Sequence, residues 1–364
     1  MVSFSPSEEQ LMIVNMVKEF TSDAVRKNSR EADETGEIPP DVIDTAWGFG
    51  FASTSIPEDY QGLGEPRSSL TGALIAEELA WGDLSTAMNV LCPLLVALPL
   101  VEMGTEEQKS RYLASFCGDS FKAATAALLE PRYAFDPAEL ATTARRDNGD
   151  YVLNGEKCYV PLGDGADLIL VYANENGRTQ GFLVDGGSAG LEIGEREKNM
   201  GIKALPTYEV VLKDCRVPAA NRLGGEVGCD FPRLLNCSRV GLSAMAVGVA
   251  RAAFEYARDY AKERHAFGEP IASRQAIAFM LAEMSIEIDA TRLMVWEAAW
   301  KLDRGEDATK EAYLAKGYAD DMVSSVTDHA VQVLGGHGYI REHPVELWFR
   351  NGRGFATFDG MAMV

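Results

Sequence analysis

The last third of the sequence carries a helical hydrophobic periodicity that is long enough to dictate its architecture. Seven apolar residues recur at spacings of three and four: Val240, Ala244, Val247, Ala250, Phe254, Ala257 and Ala261. This spacing predicts one long helix with a continuous buried stripe. Two further long helices are predicted over residues 275–304 and 309–334. Because such helices bury their stripes against one another, the pattern predicts a helical bundle over residues 227–364.

The residues before this bundle show turn and strand signals instead of helical periodicity. Asn148-Gly149 and Asn154-Gly155 are both two-residue signals typical of hairpin turns. Short runs of strand-forming residues surround them, at 151–153, 168–172, 181–184 and 209–212. Residues 119–226 are therefore predicted to form a small antiparallel β domain.

The first 118 residues return to helical signals. Ser7 and Gln10 fit a capping box, after which Ile13, Val17 and Phe20 fall on one helical face. Thr105 is a second candidate N-cap, directly after Gly104. The predicted fold is mainly α with a central β domain, with boundaries at 1–118, 119–226 and 227–364.

The charge balance restricts the partners. The chain has 34 Lys and Arg residues against 55 Asp and Glu residues, a net charge of −21. Such an acidic protein repels phosphate backbones and anionic lipid surfaces, so we expect neither nucleic acid nor membrane as a partner. The N-terminus lacks the basic and apolar regions of a signal peptide, and the apolar stretch at 90–101 is too short to span a bilayer. The six cysteines form no CxxC pair, so reduced thiols and a cytoplasmic location are expected.

Several common catalytic motifs are missing from the sequence. It contains no GxSxG, no P-loop, no HExxH, and no GxGxxG between a strand and a helix. His337 and His343 are close in sequence but lack a third ligand, so a metal site is not expected.

Four segments together resemble the acyl-CoA dehydrogenase family. They are GTEEQK at 104–109, LNGEK at 153–157, RxxFG at 264–268 and QxxGGxGY at 332–339. The resemblance implies an N-terminal helical domain, an antiparallel β domain and a C-terminal four-helix bundle, assembled as a tetramer. It also implies FAD as the cofactor, an acyl-CoA thioester as the substrate, and an electron-transfer flavoprotein as the acceptor.

In this family one subunit holds the flavin ring and its neighbour clamps the ADP half of FAD. The clamping half is complete here. The resemblance assigns Arg264 to the pyrophosphate and Phe267 to the adenine side. It also assigns cofactor contacts to the following residues: Gln275, Gln332, Gly335 and Gly336.

The ring-holding half departs from the family pattern. Where the family has TEPxAGSD, residues 129–136 place Leu129 at the Thr and Phe135 at the Ser. Where it has WIT or WIS, this chain has Tyr159-Val160-Pro161. Tyr159 could still stack on a flavin, but Pro161 offers neither a hydroxyl nor an N–H. Three hydroxyl donors to the ring are thus missing, so the resemblance leaves Leu129 and Tyr159 as the ring contacts.

The base position also departs. The family's YEGT is Phe358-Asp359-Gly360-Met361 here, so Asp359 stands where a catalytic Glu is expected. Its side chain is shorter by one bond, roughly 1.5 Å. The other position used for a base in this family holds Ser238 before Arg239, so no second carboxylate is available. Arg239 is expected either to face the thioester or CoA, or to form a salt bridge.

Three functions remain open from the sequence. The chain could clamp FAD for a homologous subunit in a heterotetramer, as occurs in relatives acting on bulky esters such as steroid side chains. It could instead be a self-sufficient homotetrameric dehydrogenase of fatty acyl-CoA, with Asp359 as the base. A non-redox binding or scaffold protein is the third possibility. The complete clamp beside an eroded ring site favours the first.

Overall fold

The N-terminal domain is helical in the computed structural model, which describes residues 5–364; the first four residues of the segment tested for a signal peptide lie outside that range. Its helices are α1 Glu8–Phe20, α2 Arg26–Thr35, α3 Pro40–Gly48, α4 Ser69–Gly82, α5 Leu84–Leu91, α6 Leu94–Met103 and α7 Glu106–Tyr112. A π-helical segment, Thr21–Val25, joins α1 to α2. Both predicted caps are confirmed, because Ser7 and Thr105 each form a full capping box.

Seven strands form the middle domain. They are β1 Ala124–Ala127, β2 Thr143–Asp147, β3 Asp150–Pro161, β4 Leu168–Glu175, β5 Arg178–Asp185, β6 Leu191–Arg196 and β7 Thr207–Val217. The hydrogen-bonded order is β1-β4-β2-β3-β7-β6, and β5 pairs with β4. Most pairs are antiparallel as expected, but β1 runs parallel to β4, so the sheet is mixed.

The two turn signals have different outcomes. Asn148 and Gly149 both have positive φ, 52° and 93°, and join β2 to β3 as predicted. The hairpin expected at Asn154-Gly155 is wrong, because both residues lie inside β3, at an irregularity in its pairing with β7. A Cβ on Gly155 would lie 2.5 Å from the hydroxyl oxygen of Thr142. This glycine therefore permits a close approach of chain segments rather than a turn.

The C-terminal domain has four helices of eight residues or more. The elements are α8 Phe231–Glu263, β8 His265–Ala266, β9 Glu269–Pro270, α9 Gln275–Asp303, α10 Thr309–Leu334, the single turn α11 Gly336–Tyr339, and α12 Val345–Gly352. The predicted stripe on α8 is buried except at Phe254, which is partly buried. The helical bundle is thus confirmed, with one short member.

Helix α8 is the shared support of the two helical domains, because it packs on both α4 and α10. Gly248 allows α4 to approach closely, since a Cβ there would lie 2.2 Å from the carbonyl oxygen of Glu77. The apolar stretch at 90–101, predicted to be too short for a bilayer, belongs to a longer one: Leu84–Met103 has 20 residues and a mean hydropathy of 2.0, enough by length and composition to cross a membrane. It is 94% buried inside the protein, as the core helices of soluble proteins also are.

Candidate functional site

The RxxFG segment forms a short hairpin at the C-terminal end of α8. Strands β8 and β9 are joined by Phe267 and Gly268, which both have positive φ, 56° and 89°. Phe267 is 96% exposed at the tip of this turn. A bulky residue in a left-handed conformation is locally unfavourable, and exposure gives it no compensating burial. Neither the turn nor the core therefore accounts for a phenylalanine at this position.

The QxxGGxGY loop lies at the same end of α8. The Tyr260 hydroxyl and His337 Nδ1 are 2.7 Å apart, and Tyr260 is one turn before Arg264. Gly335 ends α10 with a φ of +57°, and neither it nor Gly336 would have an atom within 4 Å of an added Cβ. The backbone of this loop is therefore open to a ligand next to Arg264.

Two tyrosines on α8 anchor the loop, a role that the sequence reasoning missed. Tyr256 bonds His343 Nδ1 at 2.7 Å, in parallel with the Tyr260–His337 bond. The two imidazoles stack with 5.2 Å between their centroids. The sequence did contain a signal for this anchoring: two tyrosines spaced i,i+4 on α8, and two histidines in and after the glycine loop. Among residues 5–364 no group of three or more His, Cys, Asp or Glu side chains is placed to hold a metal ion.

The six residues assigned to the ADP half are all solvent-exposed: Arg264, Phe267, Gln275, Gln332, Gly335 and Gly336. Within residues 5–364, the side chains of Arg264, Gln275 and Gln332 have no hydrogen bond or ion pair. An unpaired guanidinium suits a diphosphate, open glycine backbone suits close approach, and an exposed aromatic ring suits a flat base. The donor set therefore fits the ADP half of FAD.

The two predicted ring contacts lie together in the middle domain. The carbonyl of Leu129 accepts a hydrogen bond from Cys158 N at 3.0 Å, and the Leu129 side chain is buried. Tyr159 lies at an irregularity of β3 with a φ of +51°, and its N–H donates to Glu197 Oε1 at 3.2 Å. The structure thus brings Leu129 and Tyr159 close together. The Leu129 carbonyl and the Tyr159 N–H are, however, already hydrogen-bonded within the protein.

A buried ion pair supports this region. Lys157 Nζ lies 3.0 Å from Glu130 Oε1 and also donates to the carbonyl of Leu128. Burial lowers the pKa of Lys157 to about 8, although Glu130 opposes that change. Burial alone would raise the pKa of Glu130, but Lys157 and two backbone N–H groups hold it below its usual value. The charged residues of these two motifs therefore have a structural role here.

Asp359 and Arg239 are brought together. Arg239 Nη2 is 3.6 Å from Asp359 Oδ2, so the salt-bridge expectation for Arg239 is met. Asp359 Oδ1 is buried without a hydrogen-bond partner among the described residues. Burial raises the pKa of Asp359, while Arg239 and then Lys316 oppose the rise.

The space beside Asp359 is filled by protein. Gly360 N donates to Ser238 Oγ at 3.1 Å, and the following residues, 361–364, are each at most 3% exposed. The cavity left between β1, α6 and α8 is about 10 Å³, with walls that include Leu95, Leu128 and Gly360. A water-sized void admits neither a three-ring flavin nor an acyl thioester. The void beside Gly360 therefore holds neither group, and the ring contacts at Leu129 and Tyr159 lack the family's hydroxyl donors.

The two halves are far apart within one chain. Arg239 lies on α8 and Arg264 directly follows it, 25 positions later. At 1.5 Å per residue the separation along the helix is roughly 37 Å. The pyrophosphate and the ring of FAD are joined by a chain of about seven single bonds of about 1.5 Å each, so they lie much closer together than that. A cofactor held by Arg264 therefore cannot place its ring beside Asp359 of the same chain.

Comparison with known proteins covers nearly the whole chain. The chain matches the N-terminal, middle and C-terminal domains of acyl-CoA dehydrogenases over residues 7–119, 125–215 and 232–364. It is 36% identical to the caffeyl-CoA reductase-Etf complex subunit CarC of Acetobacterium woodii, over 98% of this chain and 96% of that one. The butyryl-CoA dehydrogenase structure from Megasphaera elsdenii matches with a TM-score of 0.89 and 32% identity, covering 98% and 96%. The FAD complex of PigA matches with a TM-score of 0.89 and 26% identity, covering 98% and 95%.

Proposed function

The chain belongs to the acyl-CoA dehydrogenase family, and from that premise we propose that it is the FAD-clamping subunit of a heteromeric enzyme. The enzyme carries out α,β-dehydrogenation of an acyl-CoA thioester or its reversal. One observation carries the proposal. The clamp is exposed and unpaired, while the space beside Asp359 of the same chain is filled by buried residues 361–364.

The residues of this chain bind and orient the cofactor. Arg264 places a permanent positive charge where a diphosphate can pair with two guanidinium N–H groups. Gly335 and Gly336 let the backbone come close to the same group, and Phe267 offers a ring to the adenine side. Gln275 and Gln332 add amide donors and acceptors that the fold itself leaves free.

The reacting end of the cofactor belongs to the partner subunit. When bound, FAD supplies the hydride acceptor for oxidation of the acyl group. The roughly 37 Å between Arg239 and the end of α8 supports a site in which another subunit holds the ring. A homologous dehydrogenase with an intact ring pocket and its own base meets that requirement, in a heterotetramer.

Relatives support the cofactor and the electron acceptor. PigA is known as an FAD complex, and CarC is a subunit of a complex with Etf. We infer that this enzyme likewise uses FAD and passes electrons to an electron-transfer flavoprotein. The acyl group is one that the partner subunit accepts, of the fatty acyl or the bulkier steroid side-chain type.

The test is the flavin content and native mass of the chain produced alone and co-produced with a homologous dehydrogenase subunit. Alone, we expect less than about a tenth of an FAD per chain, because the ring half lacks three of the family's hydroxyl donors. With the partner, we expect FAD to be retained in a larger assembly. These quantities are read from the flavin absorbance and from native mass spectrometry.

Two results would contradict the proposal. Stoichiometric FAD in the chain alone, with acyl-CoA-dependent reduction of an electron acceptor, would make it a self-sufficient homo-oligomer. If the chain assembles with the partner but Arg264→Ala leaves the flavin content of the assembly unchanged, the chain is a scaffold protein.

A further inference from the structure

The segment Met361–Val364 folds into the interior instead of lying on the surface. Its four side chains are all apolar, and their exposed fractions are between 1% and 3%. It enters the apolar space bordered by α4, α6 and α8, and Met363 lines the same small void as Leu95. The segment is therefore part of the hydrophobic core.

Two helix glycines make room for this segment. A Cβ on Gly72 of α4 would lie 2.8 Å from Val364 Cβ, and one on Gly241 of α8 would lie 3.3 Å from Val364 Cγ1. Glycine is unfavourable inside a helix, so its presence on both walls needs a local reason. Space for residues 361–364 is the reason that the structure provides.

Polar contacts hold both ends of the segment. Before it, Gly360 N donates to Ser238 Oγ at 3.1 Å. At its other end, Arg67 donates to the backbone carbonyl oxygen of Val364 and pairs with Glu102. The segment is thus fixed to α8 and to the start of α4, as well as packed between them.

The segment directly follows Asp359 and reaches the wall of a larger cavity. That cavity has a volume of about 650 Å³ and lies between α1, α4 and α6, where Val364 forms part of its wall. On the inner side, Met363 lines the void of about 10 Å³ near Gly360. An acyl group can react at Asp359 only if its α carbon lies beside that carboxylate, and residues 361–364 lie between the void and the larger cavity.

We propose that residues 361–364 are an internal plug that closes this subunit's own acyl slot, so that it takes no acyl-CoA of its own. The inference rests on the proposed function and adds to it. This subunit then lacks an independent catalytic centre for two reasons. The first is the missing hydroxyl donors near Leu129 and Tyr159, and the second is the buried segment. The core itself occupies the place of the substrate.

The test measures whether the plug is seated in the folded subunit. A cysteine is introduced as Ala362→Cys, a small change, and separately as Met363→Cys in case the first variant misfolds. Met12→Cys is the matched control, since Met12 is 73% exposed. Each full-length chain, purified alone, is treated with a maleimide with and without millimolar butyryl-CoA. Mass spectrometry follows the peptide carrying the new thiol, so the six native cysteines do not interfere.

We expect Ala362→Cys and Met363→Cys to react at least 100-fold more slowly than Met12→Cys, with no change on adding butyryl-CoA. Reaction within tenfold of the control would mean that the segment is not seated. Faster reaction in butyryl-CoA would mean that an acyl group displaces it. Either result overturns the plug. Neither readout depends on the flavin content that tests the proposed function, so the two proposals can fail separately.

Discussion

Asp359 lies 3.6 Å from Arg239, and only one of its two carboxylate oxygens faces that guanidinium. The pair joins the first turns of α8 to the loop that leads into residues 361–364. Because Arg239 also lies over the Tyr313 ring, 5.4 Å from its centroid, the arginine is held on both sides. The geometry gives Asp359 a salt-bridge partner and no room for a substrate.

Asp359→Asn separates the two enzymatic functions. If the partner subunit supplies the base, we expect turnover of the assembled enzyme to change by less than twofold, measured by acceptor reduction with acyl-CoA. If Asp359 were the base, the loss of its carboxylate would lower turnover by 10²-fold or more. A loss of that size, with assembly and flavin content intact, would assign the chemistry to this chain.

Arg264→Ala should release FAD without disturbing assembly. Its guanidinium is exposed and has no partner within residues 5–364, so its removal costs the folded chain little. Loss of a charge-assisted contact to the diphosphate weakens FAD binding by about 10- to 100-fold. Fluorescence titration of FAD into the apo-assembly measures this change. Arg258→Ala is the matched control, because Arg258 lies on α8 six positions before Arg264 but pairs with Asp259. Equal FAD affinity in the two variants would contradict the clamp assignment.

Two helix glycines should respond to alanine in opposite directions. Gly248→Ala places a methyl group 2.2 Å from the carbonyl oxygen of Glu77, so α4 and α8 must separate. We expect a loss of about 2–3 kcal/mol in the free energy of unfolding. Gly317→Ala on α10 meets no atom within 4 Å and should gain about 0.5–1 kcal/mol from helix propensity. Urea unfolding of both variants checks the pair, and a loss at Gly317 would show that its helix face is not open.

Asp83 should make stability fall as the pH rises from about 4 to 6. It is buried and caps α5, and burial raises its pKa to about 6 although hydrogen bonds from Thr86 oppose the rise. The unfolded chain has the ordinary value near 4, so between these values the folded state binds more protons. The stabilisation is full below pH 4, decreases through this window and is lost above pH 6.

Asp83→Asn removes that titration while keeping an oxygen for the cap. Between pH 4.5 and 7 the wild-type chain should lose about 2 kcal/mol more stability than the variant, by urea unfolding at each pH. Equal pH profiles for the two proteins would mean that Asp83 is not protonated in the folded state.

The helical regions could be predicted closely because their signals are local. The predicted helix over 309–334 has the observed bounds of α10, and the cap at Ser7 follows from four consecutive residues. The hairpin prediction at Asn154-Gly155 failed because Gly155 is required by a close contact with Thr142, which is thirteen positions away and outside any turn pattern. The parallel pairing of β1 with β4 is equally non-local.

In the candidate site too, features that are local in sequence could be predicted, and features that depend on distant residues could not. The clamp motifs are contiguous in sequence, so the residues of RxxFG and QxxGGxGY could be named before any coordinates. The closed slot could not be foreseen, because it depends on Gly72 and Gly241 meeting a segment that is more than 100 residues from either. The role of Tyr260 was missed because its partner, His337, is 77 positions away.

The exposure of the clamp has an evolutionary consequence. Since Arg264, Phe267 and Gln332 contribute almost nothing to the folding of their own chain, a library of variants sorted by thermal stability would pass most substitutions at these positions. The same library sorted by cofactor retention in the assembled enzyme would reject them. Under the proposed function, the two halves of the site are thus selected separately, one for packing in its own core and the other for the cofactor that a neighbouring subunit uses.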